Sequence, residues 1–194
     1  MSARLSYKKS CKYLIENGWE IACEDLFKHG WSGDSDPPQA AAMPLPGDEA
    51  PCAVSFFRTV VGGEEGIDSQ DGLQGLTLPR TFICRCEFSE ISLAKSDFSE
   101  SFICWNDFNE VDFSDANLHK SDLRASNFQT VDFSRANLEE ADFRLASFGG
   151  CEFGDAKMTG CKILADLKLV LKLSPEQCKQ VEWCTEDGDE PPGG

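Results

Sequence analysis

The chain has 194 residues, 41% of them hydrophobic, which suits one domain with a small attached module. Its formal charge of −16 argues against unspecific binding to nucleic acid or to an anionic membrane surface. No apolar run reaches bilayer-spanning length, and the opening MSARLSYKKS leads into no apolar signal core, so the sequence predicts a soluble, cytoplasmic protein that does not enter membranes.

In chain order, SYKKSCKYLIENG sets Tyr7, Cys11, Leu14 and Ile15 on one helical face, with Gly18 as a stop. WEIACEDLFKHGW repeats that pattern with Trp19, Ala22, Leu26 and Phe27, so a helical hairpin is expected. Residues 32–51, rich in Pro, Ala, Gly and Asp, read as a linker or long loop. AVSFFRTVV, residues 53–61, is β-branched and aromatic and reads as a strand leading toward the segment that begins at residue 71. Together residues 1–70 are expected to cap and clad that segment.

From Leu73 every fifth residue is large and apolar, without a break, to Ile163. A helix would repeat at 3.6 and a strand at two, so a period of five marks a solenoid step. Two residues before most centres lies a small one, such as Ser96, Ala116, Ser126 or Ala136. One residue before the centre is often Asp or Asn, which turns the chain through local side-chain to backbone hydrogen bonds. VDFSDANL at Val111–Leu118 returns as VDFSRANL at Val131–Leu138, and TFIC at Thr81–Cys84 as SFIC at Ser101–Cys104. A lag of twenty is four steps, so the chain should close one four-sided coil per twenty residues around a filled interior. Asn106 stands where a small residue is expected, and once buried it needs hydrogen-bond partners.

ANLHK, SDLRA, ANLEE and ADFRL resemble the pentapeptide repeat family, whose consensus is A-(D/N)-L-x-x. The resemblance covers residues 71–165. It implies an all-β solenoid, a right-handed quadrilateral β-helix of nearly five coils, with a small helical N-terminal cap and a short C-terminal capping strand and helix. Past Ile163 the phase fails at Lys168, and residues 166–194 are expected to form the C-terminal cap and a disordered acidic tail. In that cap, Asp166–Leu173 alternates Leu167, Leu169, Leu171 and Leu173 and reads as a closing strand. SPEQCKQVEW starts a helix with Ser174 as N-cap, Pro175 in the first turn and Gln177 completing a capping box. TEDGDEPPGG is the polar tail.

No sequence motif carries a reaction: there is no GxSxG, no phosphate-cradling GxxxxGK[ST] and no HExxH. The ten cysteines include no CxxC pair, and only His29 and His119 offer imidazole, so no metal site, cofactor or catalytic residue is assigned. What remains is binding. Phe82, Phe102, Trp105, Arg124 and Arg144 fall on one side of a four-sided coil, and aromatics with arginine suit a protein–protein hot spot. Packing of the N-terminal segment on that side is the alternative use of it. Residues 87–115 hold eight acids and one base, among them Glu87, Glu90, Asp107, Glu110, Asp112 and Asp115. The resemblance implies a second use for these, because quinolone-resistance members of the family imitate duplex DNA and bind type II topoisomerases such as DNA gyrase. Residues 71–165 carry nine bases and sixteen acids, a net −7, whereas duplex DNA over the same height would carry roughly fourteen charges. The sequence therefore predicts a non-enzymatic protein-binding module, monomeric or homodimeric. A topoisomerase-protecting mimic linked to antibiotic resistance and a toxin-immunity protein are the alternatives.

Overall fold

The computed structural model describes residues 5, 6, 9, 10, 13, 55–57, 60–62 and 73–185. The expected hairpin beyond Tyr13, the linker and the tail lie outside the described residues. Over 73–163 the chain winds into the four-sided coil that the period of five requires. Side A is centred on Leu73, Leu93, Phe113, Phe133 and Phe153, and side B on Leu78, Phe98, Leu118, Leu138 and Met158. Side C is centred on Ile83, Ile103, Leu123, Phe143 and Ile163, and side D on Phe88, Phe108, Phe128 and Phe148. All these centres are buried except Phe148, which is partly covered.

Each quintet performs one quarter-turn, and each of its positions has a physical task. In Ala116-Asn117-Leu118-His119-Lys120 the small first residue and the large third point inward. The second residue's oxygen accepts the N–H two residues on, as Asp112 does for Ser114 at 2.8 Å and Asp132 for Ser134 at 2.7 Å. The fifth residue turns the corner in the left-handed region, from Arg80 (φ 57°) and Lys95 (φ 60°) to Asp155 (φ 56°). That conformation costs an L-residue about 1–2 kcal/mol, and only the rest of the coil holds it in place.

Successive coils bond as parallel strands. The Phe113 N–H donates upward to Asp132 O at 2.8 Å, and the Asp112 N–H donates downward to Ile91 O at 3.1 Å. Inside, in-register phenyl rings stack: Phe113 on Phe133 at 5.5 Å between centroids, Phe133 on Phe153 at 5.2 Å, and Phe108 on Phe128 at 5.1 Å. The out-of-pattern Asn106 is buried and fully engaged. Its Oδ1 accepts from the Cys86 N–H, its Nδ2 donates to Ile83 O, and its own N–H donates to Ser126 Oγ.

Regular strands occupy sides C and D. β1 (Ser55–Phe57), β3 (Phe82–Cys84) and β5 (Phe102–Cys104) pair in that order on side C. β2 (Val60–Gly62), β4 (Glu87–Ser89), β6 (Asp107–Asn109), β7 (Asn127–Gln129) and β8 (Ser147–Gly149) form a five-stranded sheet on side D. The segment Ala53–Val61 is thus not a single lead-in strand. It supplies two short strands, and Phe56 pairs with Ile83 and Val61 with Phe88. These partners lie 27 residues apart and not 20, so seven extra residues separate β2 from the next side.

At the start of the coil, Lys9, Ser10 and Tyr13 are helical, as the sequence predicts for that turn. The Leu5 N–H donates to Gly75 O, and the Thr77 N–H donates to Ser10 Oγ at 2.8 Å, so Leu5 and Ser10 fasten onto the base of the coil near side B. At the far end one expectation fails. Residues 166–173 do not form a closing strand: Ala165–Leu169 is a 3₁₀-helix, and Leu169 is 97% exposed. The place on the sheet edge is taken by β10 (Glu182–Cys184), which pairs with β9 (Lys162–Leu164), so the alternating leucines have no strand to join. Of the four, only Leu171 is buried; Leu167 and Leu173 lean on the core. Helix α1 (Pro175–Gln180) forms with the expected Ser174–Gln177 capping box. Gln177 then donates from Nε2 to Phe153 O and Ala156 O, and Gln180 accepts from the Met158 N–H. Two glutamine amides therefore substitute for a missing turn of coil over side B.

Candidate functional site

Among the described residues no cluster of His, Cys, Asp or Glu could hold a metal ion. Four buried thiols are poor nucleophiles: burial pushes Cys84 up to about 12, and it raises Cys104, Cys151 and Cys161 as well. An open groove of about 620 Å³ lies between the last coil and α1. Its one hydroxyl nucleophile, Ser174, is spent on capping the helix.

The corner residues stack into four vertical rows, and each row has its own character. Between sides A and B the row reads Lys95, Asp115, Arg135, Asp155, alternating in sign. Arg135 forks onto Asp115 with two bonds of 2.9 Å. Those bonds, with the charges of Arg135 and Lys95, hold the Asp115 carboxyl below its ordinary range. Between B and C the row is Arg80, Glu100, Lys120, Glu140, paired at 3.0 and 3.6 Å. Between C and D it is Arg85, Trp105, Ala125, Leu145, with Trp105 47% and Leu145 43% exposed. Between D and A it is Glu90, Glu110, Thr130, Gly150.

The fourth row and its flanks are unlike the others. Glu87 lies in register with Asp107 on side D, and Asp112 with Asp132, then Glu152, on side A. Among the described residues none of Glu87, Glu90, Asp107, Glu110, Asp112, Asp132 or Glu152 makes an ion pair. Six of the acids that the sequence singles out, Glu87, Glu90, Asp107, Glu110, Asp112 and Asp115, therefore divide. The first five form a strip without direct ion pairs among the described residues, although Asp112 still feels the charge of Arg135, and Asp115 belongs to a neutralised row.

The aromatic–arginine group divides too. Phe82 and Phe102 stack at 5.4 Å, yet they are only 2% and 7% exposed although they point away from the interior. With Cys84 and Cys104 they form a second apolar cluster and present no free surface. Arg124 is 5% exposed and grips Asp122 through two bonds of 2.9 Å. Arg144 grips Asp142 at 3.0 and 2.7 Å. Burial of Arg124 works to lower its pKa, but the Asp122 and Asp142 carboxylates outweigh it and raise it. Only Trp105 of this group stands out into solvent, on the edge and not on the side. Reading the corner position down the chain every twentieth residue separates these rows; counting charge along a linear window does not.

The pentapeptide repeats family model matches residues 86–124 and 126–163, in eight copies. Such repeats form right-handed quadrilateral β-helices, and the four-sided coil is one. Solved structures similar to this chain include pentapeptide repeat proteins. Rfr23 of the cyanobacterium Cyanothece 51142 is 17% identical over 56% of this chain and 84% of its own, with a TM-score of 0.42. A protein of the Arabidopsis thaliana thylakoid lumen is 22% identical over 57% and 72%, with a TM-score of 0.30. Full-length QnrB1, a plasmid-mediated fluoroquinolone resistance protein, is 13% identical over 66% and 72%, with a TM-score of 0.26. No curated protein matches the chain.

Proposed function

Taking as premise that residues 86–163 are pentapeptide repeats, we propose that this chain is a non-enzymatic docking protein whose acidic strip receives a basic surface of another protein. Proteins of this repeat family are structural and protein-interaction modules, which supports reading the strip as a contact surface. The observation that carries the reading is the contrast between rows. Two corner rows alternate in sign coil by coil, so each acid meets a base one step away. The strip sets acid directly on acid: Glu87 on Asp107, and Asp112 on Asp132. Like charges directly opposite in a sheet weaken it by a few tenths of a kcal/mol each. A basic partner removes that repulsion on binding and is steered in by the same field.

The test is affinity capture with the purified protein and with a fourfold reversal, Glu87→Lys, Glu90→Lys, Asp107→Lys and Glu110→Lys. Loss of the captured proteins on reversal is expected, and an unchanged set overturns the reading. Unopposed acids also suit the imitation of DNA phosphates, which would make a type II topoisomerase the partner. A gyrase supercoiling assay with and without a fluoroquinolone decides that narrower identity: no change in activity or drug sensitivity removes it. The strip is short for such a role, since Asn127 and Ser147 follow Asp107 on side D, and Thr130 and Gly150 follow Glu110.

A further inference from the structure

We propose that side D is a docking surface for a basic amphipathic α-helix of the partner. This rests on the reading of the acidic strip as the partner-facing surface and adds the shape of what binds there. Side D is the broadest regular sheet described, five parallel strands, and its outward residues Asp107, Asn109, Gln129 and Ser147 are exposed. Its floor is low and held down. Ser147 Oγ donates to Asn127 Oδ1 at 2.8 Å, and Gln129 Nε2 donates to the same oxygen at 2.9 Å. Gln129 lies across Gly149, where a Cβ would collide with its Oε1. One margin carries Arg85 at its foot and is raised by Trp105 and Leu145 above it, and the other carries Glu90 and Glu110.

The occupant follows from chemistry and dimensions. Within the face the backbone N–H and C=O groups are consumed by pairing between β4, β6, β7 and β8, so an extended peptide laid on it finds no main-chain partners. A helix brings its own hydrogen bonds and needs only side-chain contacts. From Glu87 to Ser147 is three coil steps, about 14 Å at strand spacing, or roughly three turns of helix. Trp105 and Leu145 are two coil steps apart, about 10 Å, which matches helical residues seven apart at about 10.5 Å. The partner helix therefore carries apolar residues at that spacing toward the Trp105–Leu145 margin. It carries Lys or Arg toward Glu87, Asp107, Glu90 and Glu110.

Three synthetic peptides test this on the full chain by titration calorimetry: Leu and Lys arranged with helical period, the same composition arranged with period two, and oligolysine of equal length. The helical peptide is expected to bind at least tenfold more tightly than either other. Trp105→Ala and, separately, Leu145→Glu should each weaken it about tenfold, and Glu87→Lys with Asp107→Lys should abolish it. Asp155→Lys on the alternating row should leave it unchanged. Equal binding of the period-two peptide or of oligolysine overturns the helix while leaving the acidic strip as a cation-binding surface. Failure of all three peptides overturns both.

Discussion

The inside of this coil and its outside obey different rules. Inside, a residue is judged by its neighbours one coil above and below, and likeness wins: phenyl stacks on phenyl through Phe113, Phe133 and Phe153, and Ile83 lies beneath Ile103. Identical shapes at strand spacing interdigitate without voids, which is what close packing asks. At the corners the same vertical neighbours meet in water, where likeness is tolerated or penalised but never required. There the rows diverge: two alternate in charge, one runs from Arg85 through Trp105 and Ala125 to Leu145, and one passes from Glu90 and Glu110 to Thr130 and Gly150. Sameness in this chain therefore marks what holds the fold, and difference marks what the fold presents.

The largest test of that division is inside. Phe133 touches Phe113 and Phe153 face to face, and Phe128 and Phe143 edge to face. Phe133→Ala should cost about 3–5 kcal/mol in urea unfolding. A loss below 1 kcal/mol, on the order of an exposed site, would deny the interior its role. Next comes the seal at the coil's end. Gln177→Ala strands the Ala156 carbonyl, leaves the Phe153 carbonyl with only the Ala156 N–H, and breaks the capping box, so a loss of about 1–3 kcal/mol is expected.

The corner rows should matter far less to stability. Arg135→Ala should change stability little, because the pair with Asp115 is exposed and screened by water. Its pH signature is specific. The Asp115 pKa is lowered in the folded state, so the stabilisation is complete above the unfolded value, about 4. It is lost as pH falls through the folded value. The gap between wild type and Arg135→Ala should therefore close below about pH 4 in thermal melts. The smallest effect has the opposite sign. Thr130 is a β-branched residue at φ 55°. Thr130→Gly should raise stability by about 0.3–1 kcal/mol, the strain relieved exceeding the entropy glycine loses on folding.

The coil was legible because burial demands a large side chain at each centre, and the period of five has no other source. The ends were not. Residues 166–173 alternate leucines as a strand does, but alternation says only which side chains could share a face, and β10 had already taken the edge. β1 and β2 stand 27 residues from their partners, so a search at a lag of twenty passes over them. The candidate surface was legible in part. Phase correctly turns Phe82 and Phe102 away from the interior, yet phase cannot tell an open side from a covered one. Asp115 looked like one acid among many until its neutralising partner proved to be Arg135, twenty residues downstream.

The corner geometry has a consequence for how such a molecule can change length. Because every quintet makes the same quarter-turn, inserting one whole circuit of twenty residues would lengthen the prism and leave every vertical row aligned. Inserting a single quintet would also fold, but it would rotate everything above it by ninety degrees. Leu145 would then stand on the edge now held by Glu90 and Glu110, and the surface would be cut in two. Deletions and duplications in multiples of five are thus permitted by the core, and only those in multiples of twenty are permitted by the rows.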